Sequence, residues 1–412
     1  MLQTTRCRFS SKHIFYISIL GMLFILYICL TNFNNALFSR IRSVERTMSK
    51  LIVKLDEKGY VNNSHFQDEL KYILLWTPAN TIPFVDLGEG QKSFIQRKCK
   101  HVNCFVTDDK TFFYDLTKFD VIAFAGPQLI RQNPKMPSER SPYQKYVFAS
   151  LESPDYYPVC SNKYNNVFNW TWTFRTDSTE RWGYMAIRDS SNKVIGPNSV
   201  MHWMKLSDMD PVSDEFKKKL KSKRKAAAWF VSNCNSRSGR DKFVKLLQDR
   251  LKEFNLFVDI YGHCGTLTCR IGSQEECNKM LETDYYFYLS FENSFAEDYV
   301  TEKLLYPLQN NAIPIVFGAA NYTRFMPDGI YLNARTLGVD KLVEKMIELI
   351  TNPDLYADYF RWKKYYSYHD RAESEETDDI CRYCAMLNDK ALVEETSVYE
   401  DFRKWWDPPN RC

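Results

Sequence analysis

The chain has 412 residues, enough for two domains with accessory segments. Its formal net charge is only +4 and 15% of its residues are aromatic. So small a charge excludes the basic footprint of a nucleic-acid binder, and no nucleic-acid partner is expected. The aromatic content suits large cores or sugar-stacking surfaces and does not choose between them.

Residues 14–30 form the one long uncharged apolar run, with Arg6, Arg8 and Lys12 before it. As a helix it would reach about 25 Å, short for a span but matched to a thin early-secretory membrane. A cleaved signal peptide is the competing reading. It is disfavoured because no small-x-small site follows. The expected plan is a cytosolic tail at 1–13, a transmembrane signal anchor at 14–30 and a stem at 31–69. Flanking charge does not orient the span, since Arg40, Arg42 and Arg46 lie on its other side. Three Asn-x-Ser/Thr sequons do, at Asn62, Asn169 and Asn321, together with ten of the twelve cysteines. They place the rest of the chain in an oxidising lumen.

Leu37, Ile41, Val44, Met48, Leu51 and Leu55 recur at heptad spacing in the stem. They read either as a short coiled coil that pairs two chains into a homodimer, or as a single amphipathic or flexible stem. Globular sequence begins near residue 70. Strands are expected at 72–76, 119–125, 145–151 and 168–174, forming an α/β domain over 70–215. The polar run 211–225 reads as a solvated interdomain linker. A second α/β unit follows over 216–375. Residues 226–232 read as a strand and 233–239 as a small-residue loop. Arg240 then heads a helix with Phe243, Val244, Leu247, Leu251 and Phe254 at helical spacing. A strand at 256–262 is next. The apolar run 285–291 then ends abruptly at Glu292, Asn293 and Ser294, before a helix opening at Thr301, Glu302 and Lys303 and a strand at 312–318. Tyr299, Glu302 and Lys303 have the spacing of one helical face. Helices are expected at 340–350 and 354–366.

Polar residues at the carboxyl end of a strand, followed by a helix N-terminus, make an anion site. Arg240 and Lys303 each stand at such a place, a pairing suited to a diphosphate. Glu152 ends another strand and is read either as a base for a sugar hydroxyl or as one surface carboxylate among many. Asp208-Met209-Asp210 is an Asp-x-Asp of the kind that holds a divalent cation on a nucleotide diphosphate, and is equally a chance pair in a polar stretch. Cys99 and Cys104, with Cys381 and Cys384, admit a four-thiolate zinc site or disulfides that staple the tail to the first domain. The partners of Cys160, Cys234, Cys264, Cys269, Cys277 and Cys412 stay open.

Taken together, residues 287–294 (Phe-Tyr-Leu-Ser-Phe-Glu-Asn-Ser) and 298–304 (Asp-Tyr-Val-Thr-Glu-Lys-Leu) closely resemble the signature of the α1,3-fucosyltransferases. Residues 229–233 with Arg240, the block 148–154 around Glu152, the stretches 168–171 and 174–178, and residues 313–318 are similar to further blocks of that family. The likeness covers about residues 70–385.

The resemblance implies a GT-B fold, two Rossmann-like domains facing a cleft. It implies GDP-β-L-fucose as donor and inverting transfer to the 3-hydroxyl of N-acetylglucosamine on a glycoprotein glycan, on either a core N-glycan or a Lewis-type or LacdiNAc acceptor. No metal is required in the site, and divalent cations are at most stimulatory. Residues 70–215 become the acceptor side and 216–375 the donor side, with the tail at 376–412 disulfide-linked to the first domain. Glu152 becomes the base, Arg240 and Lys303 the diphosphate ligands, and Asn293, Tyr299 and Glu302 lining residues of the donor. The implied location is the Golgi membrane, single-pass type II. The loop 261–277 looks like that of invertebrate members and tilts the acceptor toward the N-glycan core. Pro307 departs from the family pattern and is expected to kink the helix behind Lys303. The alternatives are a metal-dependent GT-A-type transferase using Asp208 and Asp210, and an inactive lectin-like luminal protein.

Overall fold

The computed structural model describes residues 70–268, 274–407 and 411–412. The expected tail, anchor and stem, the Asn62 sequon and Cys269 lie outside the described residues. Among the described residues no helix is long and apolar enough to cross a membrane.

The first sheet contains β1 (Lys71–Leu75), β2 (Cys104–Thr107), β3 (Val121–Ala125), β4 (Lys145–Ser150), β5 (Trp170–Thr173) and β6 (Glu180–Arg181), in the order 2-1-3-4-5-6. Every pairing is parallel. Parallel strands are covered on both faces, so they read as unbroken apolar runs. The Val-Ile-Ala-Phe-Ala of β3 is buried at each of its five positions. Helices α1 (Lys92–Gln96) and α2 (Gly126–Gln132) belong to this lobe, and β7 (Met185–Asp189) with β8 (Val194–Gly196) leads out of it.

The second sheet contains β9 (Lys225–Phe230), β10 (Val258–Tyr261), β11 (Tyr285–Phe291), β12 (Ile313–Phe317) and β13 (Leu332–Asn333), in the order 10-9-11-12-13, again parallel. Helix α3 (Asp214–Leu220) precedes it. Then come α4 (Arg240–Lys252), α5 (Gln274–Asp284), α6 (Glu302–Gln309), α7 (Ala334–Thr351, interrupted at Gly338) and α8 (Pro353–Asp358). The expected linker is not merely solvated chain. Ser213 caps α3, and Lys223 is fully buried, donating to the carbonyls of Glu282 (2.6 Å) and Tyr285 (2.8 Å) at the end of α5. A lysine stem packs in apolar surroundings while its head caps a helix C-terminus.

The helix expected over 354–366 is too long. It stops at Asp358, and β14 (Tyr366–Asp370) pairs antiparallel with β7. That strand carries the chain back to the first lobe. Helix α9 (Asp379–Leu387) packs into the core of sheet one, followed by α10 (Lys390–Glu394) and α11 (Phe402–Trp406). Trp172 stacks between Trp182 and Tyr383, with ring centroids at 4.1 and 4.3 Å. Phe402 and Trp406 meet Phe148 edge-on at 4.9 and 4.8 Å.

Disulfides Cys99–Cys381 and Cys104–Cys384 fix this return, and Cys160–Cys412 secures the last residue. Their formation removes the zinc reading, because each thiolate it required is consumed. Cys234–Cys264 ties the loop after β9 to the loop after β10.

The first two bridges nearly coincide, so either one alone closes the long loop. Removing one leaves a short closed loop to open and costs roughly 3 kcal/mol. Removing both, with Cys160–Cys412 still closed, opens a loop of roughly 85 residues and costs roughly 4–5 kcal/mol beyond that. Denaturant midpoints of the Cys381→Ala protein and of the Cys381→Ala/Cys384→Ala protein test this, and equal midpoints would contradict it.

Candidate functional site

The strands of the two lobes point their carboxyl ends at one another. The loops leaving β4 and β11 meet directly: Ser153 Oγ and Ser294 Oγ lie 2.6 Å apart, both buried. The loop after β9 joins them, with the amide of Arg237 donating to the Tyr156 hydroxyl at 3.2 Å. Asp298, 2% exposed, ties the lobes a second time. It accepts from the Thr176 amide (3.0 Å) and hydroxyl (2.6 Å) on one side and pairs with Arg324 at 2.6 Å on the other.

Glu152 stands at this meeting point. The Ser150 hydroxyl donates to its carbonyl at 2.9 Å, and the Tyr184 hydroxyl donates to the Leu151 carbonyl at 2.8 Å. The backbone under the carboxylate is therefore held from two directions. Burial raises the pKa of Glu152. Lys303 and Arg131 oppose the rise, whereas Glu302 and Glu292 add to it. A carboxylate with a raised pKa is a stronger base once ionised.

Across the cleft, Glu292 leaves β11 at 2% exposure. It accepts from the amide (2.9 Å) and hydroxyl (3.0 Å) of Thr301 and pairs with Lys303 Nζ at 3.3 Å. Lys303 also donates to Thr301 Oγ1 (2.6 Å) and Glu302 Oε1 (3.2 Å). Burial alone would lower the pKa of Lys303. Glu292 and Glu302 outweigh it and raise the value, so the ammonium stays charged.

Arg240 opens α4 after Gly239, whose φ of 66° provides the left-handed turn. Its guanidinium donates to the carbonyls of Phe291 (2.6 Å) and Asn233 (3.0 Å), and its Nε is buried without a hydrogen-bond partner. Two carbonyls orient the cation but leave its charge uncompensated. Burial lowers its pKa, opposed by Glu292 and nearby tyrosines. Arg240 and Lys303 thus hold positive charge at the N-termini of two helices, within electrostatic reach of each other. An anion between them meets both cations and both helix dipoles.

The expected shared face of Tyr299, Glu302 and Lys303 does not form. The chain turns at Asp298 (φ 58°), Thr301 is the N-cap, and the helix starts only at Glu302. Tyr299 is buried against Phe174 of the first lobe, centroids 4.9 Å apart. Asn293 lies in the loop beside Ser294, whose hydroxyl donates to its Oδ1 at 3.1 Å.

Pro307 lies inside α6, which runs on to Gln309. Proline removes the bond to the Lys303 carbonyl. The Ser290 hydroxyl, from β11, donates to that carbonyl at 2.8 Å instead. The lysine's backbone is thereby fastened to the strand that carries Glu292.

Asp208 and Asp210 are exposed and stand apart from this constellation. Asp210 is engaged by Lys364 and by the Tyr365 hydroxyl at 3.0 Å. Asn321 is exposed. Asn169, by contrast, is a correction: it is 8% exposed, and its amide nitrogen donates to the Ser397 carbonyl at 2.9 Å while its oxygen accepts from Arg140 and the Tyr146 amide. A glycan on that nitrogen is incompatible with this packing. Sequence reasoning also missed Glu292 and Ser290 as the supports of Lys303. The one available signal was two polar residues closing an otherwise apolar strand.

Residues 220–405 match the family model "Glycosyltransferase family 10 (fucosyltransferase) C-term", and residues 68–185 match "Fucosyltransferase, N-terminal". Both lobes therefore belong to a glycosyltransferase. The chain is 37% identical over 313 residues to α-(1,3)-fucosyltransferase C of Drosophila melanogaster, covering 75% of this chain and 70% of that one. It is 30% identical over 353 residues to glycoprotein 3-α-L-fucosyltransferase A of the same species, covering 84% and 62%. A crystal structure of an α1,3-fucosyltransferase with GDP-fucose aligns with 17% identity and a TM-score of 0.47, covering 81% of this chain and 93% of that one. The chain belongs to the α1,3-fucosyltransferase family, and is an enzyme of that kind.

Replacing Ser290 by Ala leaves the Lys303 carbonyl buried without a donor. The expected cost is about 1–3 kcal/mol, read as a lower denaturant midpoint, with weakened nucleotide binding by titration calorimetry. An unchanged midpoint and affinity would show that the bond is incidental.

Proposed function

We propose that this enzyme transfers L-fucose from GDP-β-L-fucose, with inversion, to the 3-hydroxyl of an N-acetylglucosamine in a glycoprotein glycan. The observation that carries the reading is the opposition of Glu152 on the first lobe to Arg240 and Lys303 on the second. Inversion by single displacement needs a base on the acceptor side and charge stabilisation on the leaving-group side, and the cleft separates the two in this way. Glu152 takes the acceptor proton as the acceptor oxygen bonds to the fucose anomeric carbon. The bond from that carbon to the β-phosphate oxygen breaks through an oxocarbenium-like transition state. The electron pair leaves on GDP, where Arg240, Lys303 and the two helix N-termini stabilise it. Asn293, Tyr299 and Glu302 line the donor. Two parallel sheets with their carboxyl edges facing support a GT-B arrangement, with the acceptor-side domain at 70–215 and the donor-side domain at 216–375.

The cations do electrostatically what a divalent ion does elsewhere, so no metal is required in the reading. The segment 261–277, which runs from the end of β10 into α5 and resembles that of invertebrate members, tilts the reading toward the chitobiose core of N-glycans as acceptor over outer-arm N-acetylglucosamine. The apolar run at 14–30, the exposed Asn321 sequon and the disulfides favour a type II protein anchored in the Golgi membrane, with a stem at 31–69 that can pair two chains.

Glu152→Gln should abolish transfer, a loss of at least about a hundredfold, while GDP binding by calorimetry survives. A fully active variant would remove Glu152 from the base role. Transfer requires ionised Glu152, and burial raises its pKa, so kcat/KM should fall with acidification at a pH above the ordinary carboxylate range. A pH–rate profile flat down to that range would contradict this. EDTA should leave most activity intact, as should Asp208→Ala. Metal dependence together with loss in Asp208→Ala would instead support the Asp-x-Asp mechanism. Incubation with GDP-fucose and chitobiose-core, N-acetyllactosamine and LacdiNAc acceptors decides the acceptor.

A further inference from the structure

Among the described residues, 151–161 form neither helix nor strand. Glu152 lies in this segment, so side-chain contacts and turns fix its place. Directly after it, the amides of Tyr156 and Tyr157 donate to the Ser153 carbonyl at 3.1 and 3.0 Å, which closes a turn. The end of the chain secures one flank of that turn. Arg411 donates to the Asp155 carbonyl at 2.9 Å, and its neighbour Cys412 is bonded to Cys160. The other flank meets residues 233–239, the loop that leaves β9 and leads into α4 at Arg240.

Two residues make most of that second contact. The Tyr156 hydroxyl accepts from the Arg237 amide at 3.2 Å and from the Asn233 side-chain amide at 3.4 Å. The Arg237 guanidinium lies over the Tyr156 ring, 5.0 Å from its centroid, where an aromatic face attracts a cation. The same guanidinium donates to the Asp155 carbonyl and stands 3.9 Å from the Asp155 carboxylate. The loop that supplies Arg237 also builds the donor side. Asn233 offers its carbonyl to Arg240 at 3.0 Å. Ser238 donates from its hydroxyl to the Glu292 carbonyl (2.7 Å) and from its amide to the Asn293 carbonyl (3.1 Å). The Cys234–Cys264 disulfide and the Ser238 bonds therefore fix the loop on either side of Arg237. Whatever orders this loop from Arg240 also orders its contact with the base segment.

We propose that Arg237 and Tyr156 are positioning residues for the base: they carry the order that a bound diphosphate imposes on residues 233–239 across to the turn behind Glu152. This rests on the reading of Glu152 as base and Arg240 as diphosphate ligand given above. The tail side of the turn is tethered covalently and permanently. The loop side is held by exposed hydrogen bonds and a cation over a ring, contacts that open easily unless the loop itself is ordered. A diphosphate on Arg240 supplies that order, so the carboxylate is fixed when there is fucose to transfer. Precise placement of a catalytic group governs its rate, and small displacements are costly. The two donors to the Tyr156 hydroxyl are exposed, so water replaces it in a phenylalanine variant and the fold is spared.

The test uses the full-length protein in detergent. In Tyr156→Phe and in Arg237→Ala, kcat for fucose transfer should fall roughly ten- to a hundredfold, with little change in KM for GDP-fucose. Arg237→Lys, which keeps a cation over the ring, should recover part of the loss. The double variant should fall short of the product of the two single losses, because both substitutions open one contact. Burial raises the pKa of Glu152, and a looser segment is less buried. The acid limb of kcat/KM should therefore move toward the ordinary carboxylate range in Tyr156→Phe. Hydrogen exchange reads the coupling directly: saturating GDP should slow exchange at the Tyr156 and Tyr157 amides in the wild type and not in Arg237→Ala. A wild-type kcat in both variants, a loss confined to KM, or equal protection by GDP in wild type and Arg237→Ala overturns the proposal. If the wild type transfers no fucose while GDP still protects the turn through Arg237, the base reading fails and the coupling of the two loops stands.

Discussion

The buried pair of Glu292 and Lys303, 3.3 Å apart, is the interaction on which the donor side depends. An acid alone at 2% exposure would protonate, and an amine alone in that place would lose its proton. Lys303 opposes the rise that burial imposes on Glu292, and Glu292 in turn keeps the ammonium charged. Thr301 bonds to both partners, so the carboxylate fixes the helix start and the lysine head together. Ser290 adds a backbone tether to the same residue. The cation is thus rigid before any ligand arrives, which is what makes electrostatic stabilisation effective.

The acceptor side obeys a different constraint. Glu152 has hydrogen bonds beneath its backbone, while its carboxylate feels burial and acids on one hand and Lys303 and Arg131 on the other. The balance leaves its pKa raised. The Ser153–Ser294 contact and the Asp298 bridge join the two halves by short polar bonds, beside an apolar cluster in which Met185 and Ile187 of β7 pack with Val300, Leu304 and Val316. Relative domain motion is the default where an interface is small and polar. Here β14, paired with β7, adds a strand ladder that restrains it.

Much of the fold was legible. Buried parallel strands carry continuous apolar runs, so β3, β4, β9, β11 and β12 stand out of the sequence within a residue or two of their ends. The helix starting at Arg240 shows its apolar stripe equally plainly. Short edge elements do not: β2 has four residues, β6 has two, and β14 alternates in a segment whose composition suits a helix. Tertiary pairing decides those. At the site, Arg240 and Lys303 were readable because helix starts after strands follow a local rule. Glu292 and Ser290 were not, since their roles depend on side chains facing the adjacent helix across a distance that spacing cannot encode. Asn169 shows the reverse error. A sequon is a local pattern, and the burial that disqualifies it comes from residues 396–397, far along the chain.

The return of α9 to the first sheet has a consequence for biosynthesis. Cys381 and Cys384 bond to cysteines made some 280 residues earlier and, with Tyr383, complete the core of the first sheet. The second lobe holds all of its own strands before that segment leaves the ribosome. The lobe translated first is therefore the last to be finished, and until that segment emerges its Cys99 and Cys104 lack their partners in an unfinished interior.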